Sequence, residues 1–263
     1  MTARTWRPPP LNRNATLRWA LILSAGVYLA AALGTIDINW TRLAQGGVRA
    51  ARFFTGFFPP DFVSRGDAIL IGLLESIWMT VAATVVGVAL AVPLAIGGAR
   101  NLAPRPVYYV CRAIMAVTRT FPEILVAIFF VKLFGFGTFA GFLTLTFATI
   151  GFNAKLLAED MEAVNPAPLE AVRATGAGWL ISLVYAIQPQ VMPRFIGLAI
   201  YRLDINFRES AVIGIVGAGG IGATLTTAFE RYEYSSAAAI LLIIIAIVML
   251  TEIASGRVRQ WVK

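Results

Sequence analysis

Residues 237–254 of this chain, Ala-Ala-Ala-Ile-Leu-Leu-Ile-Ile-Ile-Ala-Ile-Val-Met-Leu-Thr-Glu-Ile-Ala, form an almost wholly aliphatic run. About 20 apolar residues are needed for one helix to cross the hydrocarbon core of a bilayer, so the run reads as a membrane span. Similar stretches recur along the 263 residues, of which 58% are hydrophobic and 14% charged, with a mean hydropathy of +0.75. Soluble domains carry roughly a quarter of their residues charged. The length accommodates about six spans with their loops, so the expected fold class is all-α, a polytopic helical membrane protein.

The formal charge is +8. Its basic residues sit in short segments beside apolar runs, where orientation signals and lipid headgroups account for them better than nucleic acid does. Cys111 is the one cysteine and histidine is absent, so no disulfide framework and no His/Cys metal cluster is expected.

A basic tail at 1–16 with Arg4, Arg7 and Arg13 precedes a first span, Leu17–Ile36. The arrangement resembles a signal peptide, although the long apolar run favours a retained anchor. Residues 37–66 are expected outside. There Trp40, Leu43, Phe53 and Phe54 accompany Arg42, Arg49 and Arg52, either as a segment lying on headgroups or as a partly ordered loop.

The core, 67–256, begins with a second span near Ile69–Gly98 that bends at Pro93. A third runs from about Val107 to Phe134, and the glycine-rich turn Gly135–Gly141 leads to a fourth near Phe142–Ala158. A long loop fills 159–189. The fifth span begins after Pro193 and ends in "AVIGIVGAGGIG"; the turn Arg231–Ser236 precedes the last, and 257–263 is a tail. On this layout twelve Lys/Arg fall on the cytoplasmic side, five outside and five within spans. Both termini are therefore expected in the cytoplasm. No internal repeat is visible, which disfavours the fused inverted halves of many secondary transporters.

Within the loop, "NPAPLEAVRATGAG" has clear helix punctuation. Asn165 suits the cap, Pro166 the first helical position, and Gly176 the left-handed residue that ends a helix. About ten residues span ~15 Å, too short for a membrane and marginal alone in water. The helix must dock. Leu169 and Val172 offer a small apolar ridge, Ala171 and Ala174 permit close approach, and Glu170 and Arg173 supply charge.

This segment resembles the cytoplasmic signature of membrane subunits of ATP-binding-cassette importers. In that signature an acid-alanine-alanine triplet is followed by a glycine six residues after the acid and a proline nineteen after it. Glu170, Ala171, Gly176 and Pro189 keep that register, while Val172, Ala186 and Gln188 depart from the usual residues. The resemblance covers Ile69–Val262. It implies the type I binding-protein-dependent importer fold in the bacterial cytoplasmic membrane, with Leu169, Glu170, Ala171, Val172, Ala174 and Gly176 coupling to a separate ATPase. It further implies a homodimer, two ATPase subunits inside and a solute-binding protein outside. The chain itself would bind no cofactor, ATP and magnesium residing on the ATPase; it contains no G-x-x-x-x-G-K-[ST] phosphate loop.

Gly217, Gly219 and Gly222 match the dinucleotide spacing, yet no second strand or ribose-binding acid follows. Together with Gly220 they read as sites of close helix approach and local unwinding beside a pathway. The wider string "FRESAVIGIVGAGGIGATL" is similar to phosphonate-importer permeases, as is "FFPPDF" before the second span. Methionine-importer permeases carry a related glycine stretch.

Arg119 and Glu123 lie four residues apart in the third span, with Pro122 between them. They form either an internal ion pair or, through Arg119, the wall of a pathway for an anion. Arg202, Asp204, Arg208 and Glu209 pair among themselves or across a subunit interface. No catalytic set accompanies these charges. The function expected is ATP-driven import of phosphonate or a related phosphorus oxyanion. Import of another solute such as methionine, a channel or secondary transporter, and an intramembrane enzyme are the alternatives.

The orientation is testable. Cys111, near the cytoplasmic end of its span, labels poorly from outside. A cysteine at Ser235 labels readily in intact cells and one at Ala167 does not. Reversed labelling at the last two positions overturns the orientation.

Overall fold

The computed structural model describes residues 14–35 and 39–261. The readings placed on Arg4, Arg7, Arg13, Ile36 and Lys263 lie outside the described residues. The chain divides into two compact units, Met1–Phe54 and Thr55–Lys263. The first holds α1 (Ala15–Gly34) and most of α2 (Trp40–Thr55). Asn39 caps α2, its side-chain oxygen accepting from the Arg42 amide at 3.0 Å. Within the segment read as either an interfacial stretch or a loose loop, residues Trp40–Thr55 therefore form a helix.

The second unit is a bundle of α3 (Gly66–Gly97), α4 (Arg105–Thr120), α5 (Glu123–Phe134), α6 (Thr138–Glu162), α9 (Gln188–Gly214), α10 (Gly220–Glu230) and α11 (Tyr234–Trp261). Two short helices, α7 (Pro166–Ala174) and α8 (Trp179–Ser182), and a π-turn at Leu183–Ile187 lie at one end. The axis of the bundle is α3 against α6. Ala83, Gly87, Ala91 and Ala95 recur every fourth residue on α3 and are buried, the pattern that lets two backbones approach in an apolar medium. A Cβ on Gly87 would lie 2.6 Å from Thr149 of α6.

Three apolar clusters stack along this axis. Met115, Leu157 and Ile187 fill the α7 end. Met79, Leu145 and Ile213 fill the middle, and Ile69, Ile221 and Ile240 the opposite end. Trp78, Val85 and Leu90 of α3 face outward, as helices bathed in lipid require.

Among the described residues four helices are long and apolar enough to cross a membrane: Thr16–Gly34, Gly66–Gly97, Thr138–Glu162 and Tyr234–Arg257. The pair α4 and α5 makes a fifth if counted as one span. The sixth expected span, α9, has 27 residues, about 40 Å of helix. Its Arg194, Arg202, Asp204, Arg208 and Glu209 make it too polar to qualify on composition.

Several expectations are corrected. The third span is not continuous, since α4 and α5 meet at 91°. Pro122 has no amide to donate and forces Phe121 out of helical geometry, to φ −90° and ψ 127°. Pro93, where a bend is expected, lies inside an unbroken α3. The long loop is mostly helical, and α9 starts at Gln188, ahead of Pro193. The "AVIGIVGAGGIG" segment does not continue one helix: α9 stops at Gly214 and a further helix, α10, starts at Gly220.

The opposite end is tied by Arg65, whose guanidinium binds Glu233 in the turn before α11. Hydrogen bonding from Arg65 holds this carboxyl below its usual range. The contact is complete above the ordinary glutamate value and is lost as pH falls through the lowered one.

The crossing of α9 and α10 is the tightest point to test. A Cβ on Gly222 would lie 2.1 Å from the Ala211 carbonyl oxygen and 2.9 Å from Gly214 Cα. Overpacking of this kind costs about 1–3 kcal/mol. Gly222→Ala therefore lowers the thermal midpoint of the purified protein. Gly178→Ala, where nothing lies within 4 Å, leaves it in place.

Candidate functional site

The punctuation expected for α7 is present. Asn165 Oδ1 accepts from the Ala167 amide at 3.0 Å, Pro166 opens the helix, and Gly176 closes it at φ +79°. The orientation differs in one respect from the expected docking ridge. Leu169 is only 7% exposed and packs with Met161, Ile187 and Val191, with Val172 partly buried beside it. Those two anchor α7 to its own bundle, because the apolar face of a short helix is covered wherever the chain can cover it. Glu170, Ala171, Arg173, Ala174 and Gly176 remain exposed on the other side.

This helix is wired to the bundle at both ends. The Asn165 amide donates to Gln190 Oε1 at 2.9 Å, and Gln190 Nε2 donates to the Ala186 carbonyl at 2.6 Å. Trp179 Nε1 donates to the Leu102 carbonyl, between α3 and α4, at 3.1 Å. The π-turn at Leu183–Ile187 joins α8 to α9, and such turns mark places where a helix can change register.

Deeper in the bundle lies a polar core. Arg202 is 3% exposed; its guanidinium binds Glu209 at 3.1 Å, donates to Thr149 Oγ1 at 3.2 Å and covers the Phe152 ring at 5.3 Å. Asn206 Nδ2 donates to Thr84 at 2.8 Å and Thr149 at 2.9 Å, joining α9 to α3 and α6. Arg208 binds Asp204, which accepts from Thr251 of α11 at 3.0 Å. Arg202, Asp204, Arg208 and Glu209 thus pair among themselves, while Arg194 of the same helix binds Asp160 of α6 at 3.0 Å.

Arg119 and Glu123 do not pair. The break at Phe121–Pro122 removes the shared helical face on which that pairing depends. Glu123 instead meets Glu209 and the field of Arg202. Among the described residues Arg119 has no ion-pair or hydrogen-bond partner. Its stem lies against Gly151, midway along α6. Its head opens into a groove of about 420 Å³ shared with Arg112, Thr120 and Lys155. An arginine held at mid-membrane costs roughly 2.5–3.5 kcal/mol on insertion scales, so this wall faces water or protein. Sequence reasoning missed Arg112 and Lys155 as its neighbours. The seven-residue step from Arg112 to Arg119 was the available signal; Lys155, on another helix, left none.

Of the glycines singled out from the sequence, Gly217 and Gly219 lie in the turn between α9 and α10, Gly220 opens α10 and Gly222 lies within it. Gly217, Gly219 and Gly220 have φ of +90°, +78° and +73°, which only glycine adopts freely. Phe136 presses on Gly217, Thr138 on Gly219 and Ser76 on Gly220, while Gly222 touches α9. The start of α10 is capped by α3: Glu75 accepts from the Gly220 amide at 3.2 Å and Ser76 from the Ile221 amide at 2.9 Å.

These pairings set an expected double-mutant result. Arg119→Met and Glu123→Gln are additive within about 0.5 kcal/mol in thermal unfolding of the purified protein, as for residues without contact. Arg202→Met and Glu209→Gln are coupled by more than about 1 kcal/mol. Coupling of that size between Arg119 and Glu123 contradicts the assignment.

Residues 87–263 match the model of a family described as binding-protein-dependent transport system inner membrane component. The chain is similar to the phosphate-import permease protein PhnE of Mycolicibacterium smegmatis, at 38% identity over 88% of this chain and 43% of that protein. It thus spans less than half of that relative's length. It is also similar to the phosphite transport system permease protein PtxC of Stutzerimonas stutzeri, at 39% identity over 90% of this chain and 86% of that protein. In three dimensions it resembles a chain of the inward-facing MetNI methionine ABC transporter. The TM-score is 0.65 at 23% identity, over 74% of this chain and 96% of that one, a likeness of fold. With the family model matching residues 87–263 and a relative 39% identical over 90% of this chain, the chain belongs to the family of binding-protein-dependent transport system inner membrane components.

Proposed function

We propose that this chain is the transmembrane subunit of an ATP-driven importer for phosphonates or related phosphorus oxyanions, working as a homodimer in the bacterial cytoplasmic membrane. Two ATPase subunits, carrying ATP and magnesium, dock on α7, and a solute-binding protein docks at the opposite end. Both termini lie in the cytoplasm.

The observation that carries this reading is the exposed face of α7. A nine-residue helix capped at both ends, pinned inward by Leu169 and presenting Glu170, Ala171, Arg173 and Ala174, has the form of a lever awaiting a partner. Gln190 and Trp179 connect it to α9 and to the α3–α4 turn, so displacement of α7 reaches the spans. The substrate class follows from the relatives named for phosphate and phosphite import, and an unpaired Arg119 suits an anionic cargo. The glycines at 217, 219 and 220 enter as the turn, and Gly222 as the close contact of α10 with α9, beside the pathway.

Gly176→Val tests the lever. Nothing lies within 4 Å of an added Cβ, so the effect is confined to a backbone held at φ +79°. A β-branched residue there is strained by about 1–2 kcal/mol. The expected outcome is weakened ATPase association, or hydrolysis no longer coupled to uptake, with the membrane fold intact. Gly176→Asn, which tolerates the left-handed region, shows a milder loss. Normal stimulated hydrolysis and uptake in Gly176→Val contradict the docking role.

A further inference from the structure

Arg105, Arg112 and Arg119 recur every seven residues along α4. Seven residues are two turns, so the three lie along one face at steps of about 10.5 Å. Lys155 reaches the same face from α6, sharing the groove with Arg112 and Arg119. A second groove, of about 470 Å³, holds Arg105 with Arg100 and Tyr108. The row starts at the level of Gly151, halfway along α6. It ends where the α3–α4 turn meets the last turn of α6, the Arg100 amide donating to Glu162 at 2.7 Å.

The charges along the row are graded. Arg119 and Arg105 have no acidic partner among the described residues. Arg112 is partly neutralised, with Glu162 at 2.9 Å and Glu159 at 3.9 Å. Lys155 stands 3.8 Å from Glu159, beyond hydrogen-bond reach. No acid lines either groove. Arg112 also donates its Nε to the Gly98 carbonyl at 2.8 Å, so the middle station is the most fully held and those on either side are open. Such a graded succession of cations is what lets an anion both enter and leave.

We propose that Arg119, Lys155, Arg112 and Arg105 form a track that passes a doubly charged tetrahedral oxyanion from the middle of the bundle to its α7 end. This rests on the importer reading above and adds the wall of the pathway, the charge of the cargo and its exit. At the first station a planar guanidinium takes two oxygens side by side and an ammonium takes a third. Arg119 without an acidic partner and Lys155 held only by Glu159 at 3.8 Å leave positive charge in one groove that matches a dianion better than a monoanion. Phosphoryl groups reach that charge near neutral pH, the second ionisation of phosphate esters lying at about 6.

The test uses vesicles containing the complete complex, supplied with its binding protein and inorganic phosphite or methylphosphonate. Copurification of the ATPase subunit confirms assembly of each variant. Arg119→Gln and Lys155→Gln each lower uptake at least ten-fold, and Arg105→Gln lowers it two- to five-fold. Arg119→Lys retains part of the rate. Ala116→Lys, which places a new cation on the wall of the same groove, restores Arg119→Gln to a third or more of the unaltered rate. A merely structural arginine is not rescued by a charge moved one turn away. The proposal is overturned if the double variant Arg119→Gln with Lys155→Gln takes up either anion within two-fold of the unaltered complex. It is equally overturned if neither Arg119→Lys nor Ala116→Lys relieves the loss. An unaltered complex that carries neither anion overturns the importer reading instead, and the track with it.

Discussion

The close approach of α3 to α6 is the constraint on which the rest of this bundle depends. In hydrocarbon no hydrophobic force drives helices together, so packing has to supply the attraction. A stripe of Ala83, Gly87, Ala91 and Ala95 allows it. With α6 held there, Thr149 and Gly151 fall at fixed heights, and both are used. Thr149 meets Asn206 and Arg202 of α9, while Gly151 leaves room for Thr118 and Arg119 of α4. A bulkier residue at Gly87 would displace both neighbours at once.

Around that axis the charges fall into two classes with different consequences. Those of α9 are satisfied within the bundle, Arg202 by Glu209 and Asp204 by Arg208 and Thr251, so they fasten α9 in place. Those on the α4 face are only partly answered, and Arg119 is not answered at all among the described residues. The 91° break at Pro122 creates this division, since it sends Glu123 to Glu209 and leaves Arg119 open. At the α7 end Gln190 ties the start of α7 to α9, and Trp179 of α8 ties the following segment to the α3–α4 turn.

Much of this was legible in the sequence. Apolar runs gave the fold class, and Asn165, Pro166 and Gly176 gave α7 nearly to the residue, because caps and turn glycines are local chemistry. The family signature around Glu170 and Gly176 led to the same helix. What failed was nonlocal or depended on one angle. A proline can kink a helix slightly or turn it by a right angle, and only the tertiary packing decides, so the Arg119–Glu123 pairing was misplaced. The inward face of Leu169 depended on Met161, Ile187 and Val191 being near. Short α10 was hidden because its N-terminus is capped by Glu75 and Ser76, some 145 residues away along the chain. The four-residue stripe on α3 and the seven-residue arginine row on α4 were periodic and open to view; both were hidden inside runs that composition alone already explained.

The central claim is that α7 hands the work of a separate ATPase to these spans through its exposed face. Site-directed crosslinking in the assembled complex tests it most directly, comparing Ala171→Cys on the exposed side with Leu169→Cys on the buried side in a Cys111→Ala background. The account predicts a crosslink from residue 171 to the ATPase subunit, changing in yield between nucleotide-free and ATP-bound states, and none from residue 169. Equal crosslinking from the two positions, or none from residue 171 in either state, would contradict it.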